Sequence, residues 1–289
     1  MNAPLTGLVT AAFGRQYQIA LPDGTPVTCV TRGKKSEAVC GDRVEIALTG
    51  AGLGVIERIL PRSSLLHRSD AFKEKLIAAN LTQIVIVVAS EPSFSDELLT
   101  RCLIAAHDQQ LTPLIVLNKC DLTEPAAAAR ARLEPYRALG YRVLELTARD
   151  SAEPLRPLLH GQHSVLVGQS GMGKSTLINA MLPDARAATR EISTALDSGK
   201  HTTTHARLYR LDEASTLIDC PGVQAFGLHH LDFTDLAAAF PEFAPYRGHC
   251  RFYNCRHQSE PGCALTDATK QGKIDARRMQ LFQSISQSA

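Results

Sequence analysis

Over residues 1–66, apolar and polar positions alternate in short runs: "GLVTAAF", "RQYQIAL", "TPVTCVT", "DRVEIAL" and "GLGVIERIL". A period of two puts alternate side chains on one face of a strand. Turn residues separate the runs at Asp23-Gly24, Gly33, Gly41-Asp42 and Gly50 to Gly54. About five short strands at this spacing predict a small closed barrel of the oligonucleotide/oligosaccharide-binding (OB) type. An SH3-like barrel would read almost the same. Pro61 to Asp70, with Arg62 and Arg68, reads as a linker.

From residue 81 the pattern changes. "TQIVIVVAS" is a near-continuous apolar run, as in a strand buried on both faces. "SDELLTRCLIAAHDQQ" then places Leu99, Cys102, Leu103 and Ala106 at helical spacing. "TPLIVLNKCDL", "EPAAAARARLEPYRALG", "YRVLELTA", "EPLRPLLHG" and "HSVLVGQ" continue the alternation of strand and helix, which predicts a parallel α/β sheet. "HARLYRL" and "STLIDCPG" fit an antiparallel pair at its edge. After about Gly227 the pattern breaks into "LAAAFPEFAPY", a cysteine cluster and a helix expected over about Asp267 to Ile285.

These 289 residues have room for two or three domains. The apolar runs are too short to cross a bilayer, and the N-terminus lacks a basic segment followed by an apolar one. The expectation is a soluble cytoplasmic monomer with no membrane partner. The net charge of +2 divides unevenly. Residues 1–66 hold seven Lys/Arg against five Asp/Glu, residues 67–235 seventeen against twenty, and residues 236–289 seven against four. Mildly basic ends around a mildly acidic middle suit an acidic partner touched by both ends.

Gly168 to Ser175, "GQSGMGKS", fits the phosphate-loop (P-loop) pattern GxxxxGK[ST], with an apolar strand before it and a helix after it. In such a loop Gly168, Gln169, Ser170, Gly171, Met172, Gly173, Lys174, Ser175 and Thr176 turn backbone N–H groups toward phosphate oxygens, helped by the positive helix end. Lys174 reaches the β- and γ-phosphates, and the Ser175 hydroxyl is a magnesium ligand. Asn118-Lys119-Cys120-Asp121 ends an earlier strand. A carboxylate at Asp121 can accept from the N1–H and 2-amino group of guanine, and adenine offers no such pair. By analogy with bidentate base reading in DNA, that is worth ~1–3 kcal/mol of discrimination. Lys119 can lay its stem on the base and Asn118 can brace the P-loop, while Thr147-Ala148 would bring a backbone N–H near the guanine oxygen.

"LIDCPG" supplies Asp219 and Gly222, a DxxG after a β-run, where the Asp can hold the metal through water and the Gly N–H can sense the γ-phosphate. Thr202 and Thr203, in "GKHTTT", offer hydroxyls for magnesium, and spacing does not separate them. Many GTPases place a water-orienting Gln just after DxxG. Here that residue is Val223, so slow intrinsic hydrolysis is expected. The nearest imidazoles downstream are His229 and His230, and His230 is the favoured catalytic candidate.

"CRFYNCRHQSEPGC" sets Cys250, Cys255, His257 and Cys263 at C-x4-C-x-H-x5-C spacing. Three thiolates and an imidazole complete a closed tetrahedral zinc shell, the structural kind. A short tail buries little core, and structural zinc can supply ~10–16 kcal/mol of apparent binding energy in small domains. Lys270, Lys273 and Arg277 fall at one helical spacing, with Arg247, Arg251 and Arg256 around the cluster, an arrangement suited to an RNA backbone.

In chain order the motifs run base loop, P-loop, threonine loop, DxxG, the reverse of the usual arrangement. That order resembles the circularly permuted P-loop GTPases, and the chain throughout is similar to the ribosome small subunit-dependent GTPase A family. The resemblance implies an α/β fold: a permuted GTPase domain at 67–235 between an N-terminal OB-fold-like barrel at 1–66 and a zinc-binding, α-rich C-terminal domain at 236–289. It also implies hydrolysis of GTP to GDP during late assembly of the small (30S) ribosomal subunit, with that subunit and its rRNA as partners, and zinc on the same four ligands. Permutation leaves the switch carrying Asp219 and Gly222 leading straight into the C-terminal domain, so its movement can pull on that domain. A P-loop kinase and a nucleotide-regulated RNA-binding module remain alternatives at this point.

Overall fold

The computed structural model describes residues 5–32, 37–70, 73–182, 206–220, 226 and 228–288. Five strands, β1 (Leu5–Phe13), β2 (Gln16–Ala20), β3 (Pro26–Thr31), β4 (Arg43–Gly50) and β5 (Leu53–Ile59), carry the alternating runs. Tyr17 and Ile19, Val27 and Cys29, and Val44 and Ile46 all point inward, and with Val9 and Ile56 they form one closed core. The strands pair in the order β1-β2-β3-β5-β4, and β1 also pairs with β4, which closes the barrel. The pairing of β3 with β5 is parallel. This is the five-stranded Greek-key closure of an OB barrel, which decides against the SH3-like alternative.

The segment expected to be a linker is a structured junction. Leu65–Asp70 forms strand β6, which pairs antiparallel with β7 (Lys73–Ala79). Leu66, Ile77 and Ala79 are buried, so the pair has an apolar face to cover. Arg62 closes the other side. It donates from Nε to Asp42 Oδ1 at 2.7 Å and from Nη2 to Oδ2 at 2.8 Å, and the Asp42 side chain is fully buried. Cys40 bridges to Ala78, joining the barrel loop to the same hairpin.

The central sheet runs β10-β9-β8-β11-β13-β12. Its strands are β8 (Gln83–Ala89), β9 (Thr112–Asn118), β10 (Arg142–Glu145), β11 (His163–Val167), β12 (Arg207–Arg210) and β13 (Thr216–Asp219). All seven residues of β8 are buried, as its unbroken apolar run requires. The pairs among β8, β9, β10, β11 and β13 are parallel, while β12 and β13 form the expected antiparallel edge pair. Helices Asp96–Asp108, Thr123–Ala138 and Lys174–Met181 lie between the strands in sequence. The P-loop strand β11 sits between β8 and β13, so the loops leaving these three strands converge at one sheet edge.

The C-terminal segment packs Phe240, Phe243 and Phe282 into one aromatic cluster with Leu265, Ile274 and Met279. In place of the single helix expected over 267–285, the structure has two, Ala264–Lys270 and Ala276–Ser288. Gly272, at φ +70°, turns the chain between them, and the Lys273 N–H donates to the Ala268 carbonyl across the turn. Lys270, Lys273 and Arg277 therefore lie on a first helix, a turn and a second helix, and share no helical face. Among the described residues no helix is long and apolar enough to cross a membrane.

Candidate nucleotide and metal sites

The P-loop leaves β11 at Gly168 and enters helix Lys174–Met181 through Gly173. Two of its glycines are required by close approach. A Cβ on Gly168 would lie 2.2 Å from the Val87 carbonyl oxygen, and one on Gly173 would lie 2.2 Å from Asn118 Nδ2. Both also have positive φ, +145° and +93°. The second contact ties the phosphate loop to the base loop. Asn118 is 2% exposed, and its Nδ2 donates to the Met172 carbonyl at 2.9 Å. Its Oδ1 accepts from the backbone N–H of Lys119 at 2.8 Å and of Ala148 at 2.9 Å. One buried amide thus spans three loops.

Lys119 occupies the left-handed region at φ +62°, which swings the chain out of β9 toward Asp121. The Asp121 backbone N–H donates to Thr147 Oγ1 at 3.1 Å, and the Thr147 hydroxyl lies 3.4 Å from Asp121 Oδ1. The Asp121 carboxylate faces solvent beside this hydroxyl. The Ala148 amide differs from expectation. Its residue is buried and its N–H is engaged by Asn118, so it is not free for a base oxygen.

Lys174 Nζ donates to the carbonyls of Gly168 at 2.6 Å and Gln169 at 2.9 Å, curled within its own loop. Burial lowers its pKa from the usual 10.5, and the nearby Asp219 carboxylate offsets part of that. Burial raises Asp219 from the usual 3.8, with Lys174 acting the other way. A half-buried ammonium and a buried carboxylate therefore face the phosphate loop together, with the exposed Ser175 at the first turn of the helix.

A segment without any motif completes this edge. Ser90 Oγ donates to the Lys119 carbonyl at 2.8 Å, Lys119 Nζ donates to the Glu91 carbonyl at 2.6 Å, and the Ser95 N–H donates to Gln169 Oε1 at 2.8 Å. Its signal in the sequence was only positional: it follows the first strand of a sheet whose other strand ends carry motifs.

The second site lies in the C-terminal segment. The ligand atoms of Cys250, Cys255, His257 and Cys263 all lie within 4.8 Å of one another. His257 Nδ1 is 3.5 Å from Cys250 Sγ and 3.4 Å from Cys263 Sγ. Zinc bonded to sulfur at 2.3 Å and to nitrogen at 2.0–2.1 Å in a tetrahedron gives an S···N edge of about 3.6 Å. The donor set fits that ion. Burial lowers the pKa of His257, favouring the neutral imidazole a metal needs. Burial, and then the neighbouring Cys263 and Cys250, push the Cys255 thiol up to about 12.

The family model for the RsgA GTPase matches residues 59–229. The chain belongs to the RsgA GTPase family. Its relatives include the small ribosomal subunit biogenesis GTPase RsgA of Nitrosospira multiformis, 56% identical, with 98% of this chain and 91% of that protein covered. The protein of the same name from Nitrosomonas europaea is 53% identical, with 97% and 90% covered. Among solved structures, YjeQ from Thermotoga maritima superposes with a TM-score of 0.75 at 27% identity, covering 99% of this chain and 98% of that one. YloQ, described as a circularly permuted GTPase, gives 0.72 at 25% identity, covering 99% and 95%. The permuted GTPase fold and GTP hydrolysis follow for this RsgA-family chain, and the kinase alternative falls away.

Not every residue singled out in the sequence is brought to the site. Thr202, Thr203, Gly222 and Val223 lie outside the described residues. His230 is placed elsewhere. Its Nε2 meets Asp108 Oδ2 at 3.1 Å, with the His67 ring 5.6 Å away between centroids. Asp108 ends the helix whose first turn abuts the P-loop, and thirteen residues make that helix roughly 20 Å long. In this conformation the contact with Asp108 at the far end of the helix holds His230, and it does not reach the phosphate loop.

Proposed function

We propose that this GTPase acts in assembly of the small ribosomal subunit, binding the subunit and its rRNA and turning over GTP to GDP as it does so. The observation that carries the reading is the Asn118 amide, which locks a phosphate loop and a guanine-type loop into one site. The name of relatives that align over nearly the whole chain supplies the subunit.

In this reading the backbone N–H groups of Gly168 to Thr176 and the Lys174 ammonium hold the phosphates, and Lys174 exchanges its two carbonyl partners for phosphate oxygens. Asp121 reads the N1–H and 2-amino group of guanine, with Thr147 orienting its carboxylate and Lys119 lying along the base. Ser175 and Asp219 are the hard oxygen donors for magnesium, and Thr202 or Thr203 adds a hydroxyl. When bound, that ion neutralises phosphate charge. Val223 cannot orient water, so basal turnover is slow and the bound subunit supplies the missing order. One zinc on Cys250, Cys255, His257 and Cys263 braces the C-terminal unit. The chain works in the cytoplasm as three units divided near residues 66 and 235.

The test is sedimentation with small subunits in the presence of GDP or a non-hydrolysable GTP analogue, alongside phosphate release with no added acceptor. Tighter binding with the analogue, and faster release with subunits, are expected. Subunit binding that ignores the nucleotide would sink the reading.

A further inference from the structure

Among the described residues with large apolar side chains exposed, two aromatic ones are adjacent: Phe252, 42% exposed, and Tyr253, 103% exposed. Both lie in the loop between the candidate ligands Cys250 and Cys255. That loop is held in place: the Arg251 N–H donates to the Gly262 carbonyl at 2.9 Å and the Cys255 N–H to the Phe252 carbonyl at 3.3 Å. A ring presented from a braced loop loses little conformational freedom on binding.

Three arginines, Arg247, Arg251 and Arg256, lie close to it in sequence. Arg251 lies over the Phe252 ring at 5.4 Å and Arg256 over Phe233 at 5.0 Å. Among the described residues neither forms an ion pair, nor does Arg247, while the nearby carboxylates are occupied. Glu260 accepts the backbone N–H groups of Arg256 at 2.7 Å, Gln258 at 2.8 Å and Ser259 at 3.1 Å, and Glu242 pairs with Arg278 at 2.7 Å. The exposed Tyr253 ring, beside guanidinium groups without carboxylate partners, matches an unstacked nucleobase flanked by phosphates. A duplex hides its base faces, so it offers such a surface only its charge.

We infer that Tyr253, with Phe252 beside it, is a stacking platform for an unpaired base of RNA, and that Arg247, Arg251 and Arg256 hold the phosphates on either side. The inference deepens the small-subunit reading and rests on it for the source of the RNA. It makes the zinc-braced loop a reader of single-stranded RNA rather than a general cationic surface.

The chain contains no tryptophan, which gives the test a clean probe. Tyr253→Trp in the full zinc-loaded protein introduces one indole, whose fluorescence should be quenched by a short unstructured RNA oligonucleotide and far less by the same sequence annealed to its complement. Tyr253→Ala should weaken binding of that oligonucleotide about 5- to 150-fold, the range for losing one stacked base. Unchanged zinc content and thermal unfolding would show that the variant folds. Equal oligonucleotide affinity in Tyr253→Ala and the parent would overturn the inference. Weakened subunit binding in that variant, with no oligonucleotide binding or quench, would assign the surface to a protein partner and overturn it equally. Quenching by the oligonucleotide with no sedimentation of the parent alongside subunits would instead sink the small-subunit reading and leave this inference standing.

Discussion

Arg277, on the last helix, forms an ion pair with Asp96, at the start of the helix that follows the Ser90–Ser95 segment. Asp96 Oδ2 also accepts from Arg132 at 2.9 Å, so one carboxylate ties the C-terminal unit to the GTPase sheet. The partners differ in burial: the Asp96 side chain is 7% exposed and that of Arg277 is 52%. Without Arg277, Asp96 keeps its pairing with Arg132, whereas without Asp96 the largely buried Arg132 guanidinium loses its carboxylate. Asp96→Ala should therefore cost about 3–5 kcal/mol in urea unfolding, and Arg277→Ala no more than about 1 kcal/mol. Equal losses would show that burial does not govern this contact.

Base selection rests on Asp121. Asp121→Asn keeps an acceptor for N1–H but puts a donor opposite the 2-amino group, so GTP affinity should fall about 5- to 150-fold. Xanthosine triphosphate, whose 2-oxo group accepts, should bind better to the variant than GTP does. A competition titration with labelled nucleotide reads both, and an unchanged preference would remove Asp121 from the base site.

Legibility followed how local the signal was. The seven-residue run of β8, the glycine pattern of the P-loop and the spacing of Cys250 to Cys263 are each written in consecutive residues, and the structure contains the corresponding strand, loop and cluster. Strand β6 was hidden because its apolar face is completed by Ile77 and Ala79 on β7, and Ser64 looks like a loop residue until its Oγ is seen accepting from the Leu81 N–H. Gly272 was visible, but helix formers on both sides masked the break. The contact of His230 with Asp108, 122 positions away, could not be read from its closeness in sequence to the switch. The barrel strands left two closures open, and only the parallel pairing of β3 with β5 chose between them.

Lys174 and Asp219 set the pH window. Hydrolysis needs the ammonium charged and the carboxylate ionised. Burial raises Asp219 above 3.8 and lowers Lys174 below 10.5, so both limbs of the kcat/KM profile, which reports the free enzyme, should fall inside those values. In the nucleotide-free protein the same shifts act on stability. The folded state holds the Asp219 proton more tightly than the unfolded state does, so this contribution falls as pH rises above 3.8. For Lys174 the folded state binds its proton less tightly, so this contribution rises as pH climbs toward 10.5. Lys174→Ala should cut turnover about 100-fold or more with the fold intact and remove the basic limb. A basic limb that survives in the residual activity belongs to another group.

Metal removal separates the two ends of the molecule. The aromatic cluster of Phe240, Phe243 and Phe282 packs directly against the ligand set: His257 stacks on Phe233 at 5.6 Å between centroids, and Phe233 meets Phe282 edge-on at 5.5 Å. Protons compete with the metal for thiolates, so a chelator should strip one zinc more readily as pH falls. With zinc binding worth ~10–16 kcal/mol in comparable small sites, its loss should unfold the C-terminal unit locally. The nucleotide site is built from β8, β9, β11 and β13, none of which contributes a ligand, so slow basal hydrolysis should persist. Subunit stimulation and oligonucleotide binding should vanish together. Hydrogen exchange on the stripped protein reads the outcome: protection lost across Ala264–Ser288 but retained in β8 and β11 is expected. Uniform loss would mean that the zinc cluster holds up the whole fold, and unchanged protection would mean that it is dispensable even where it sits.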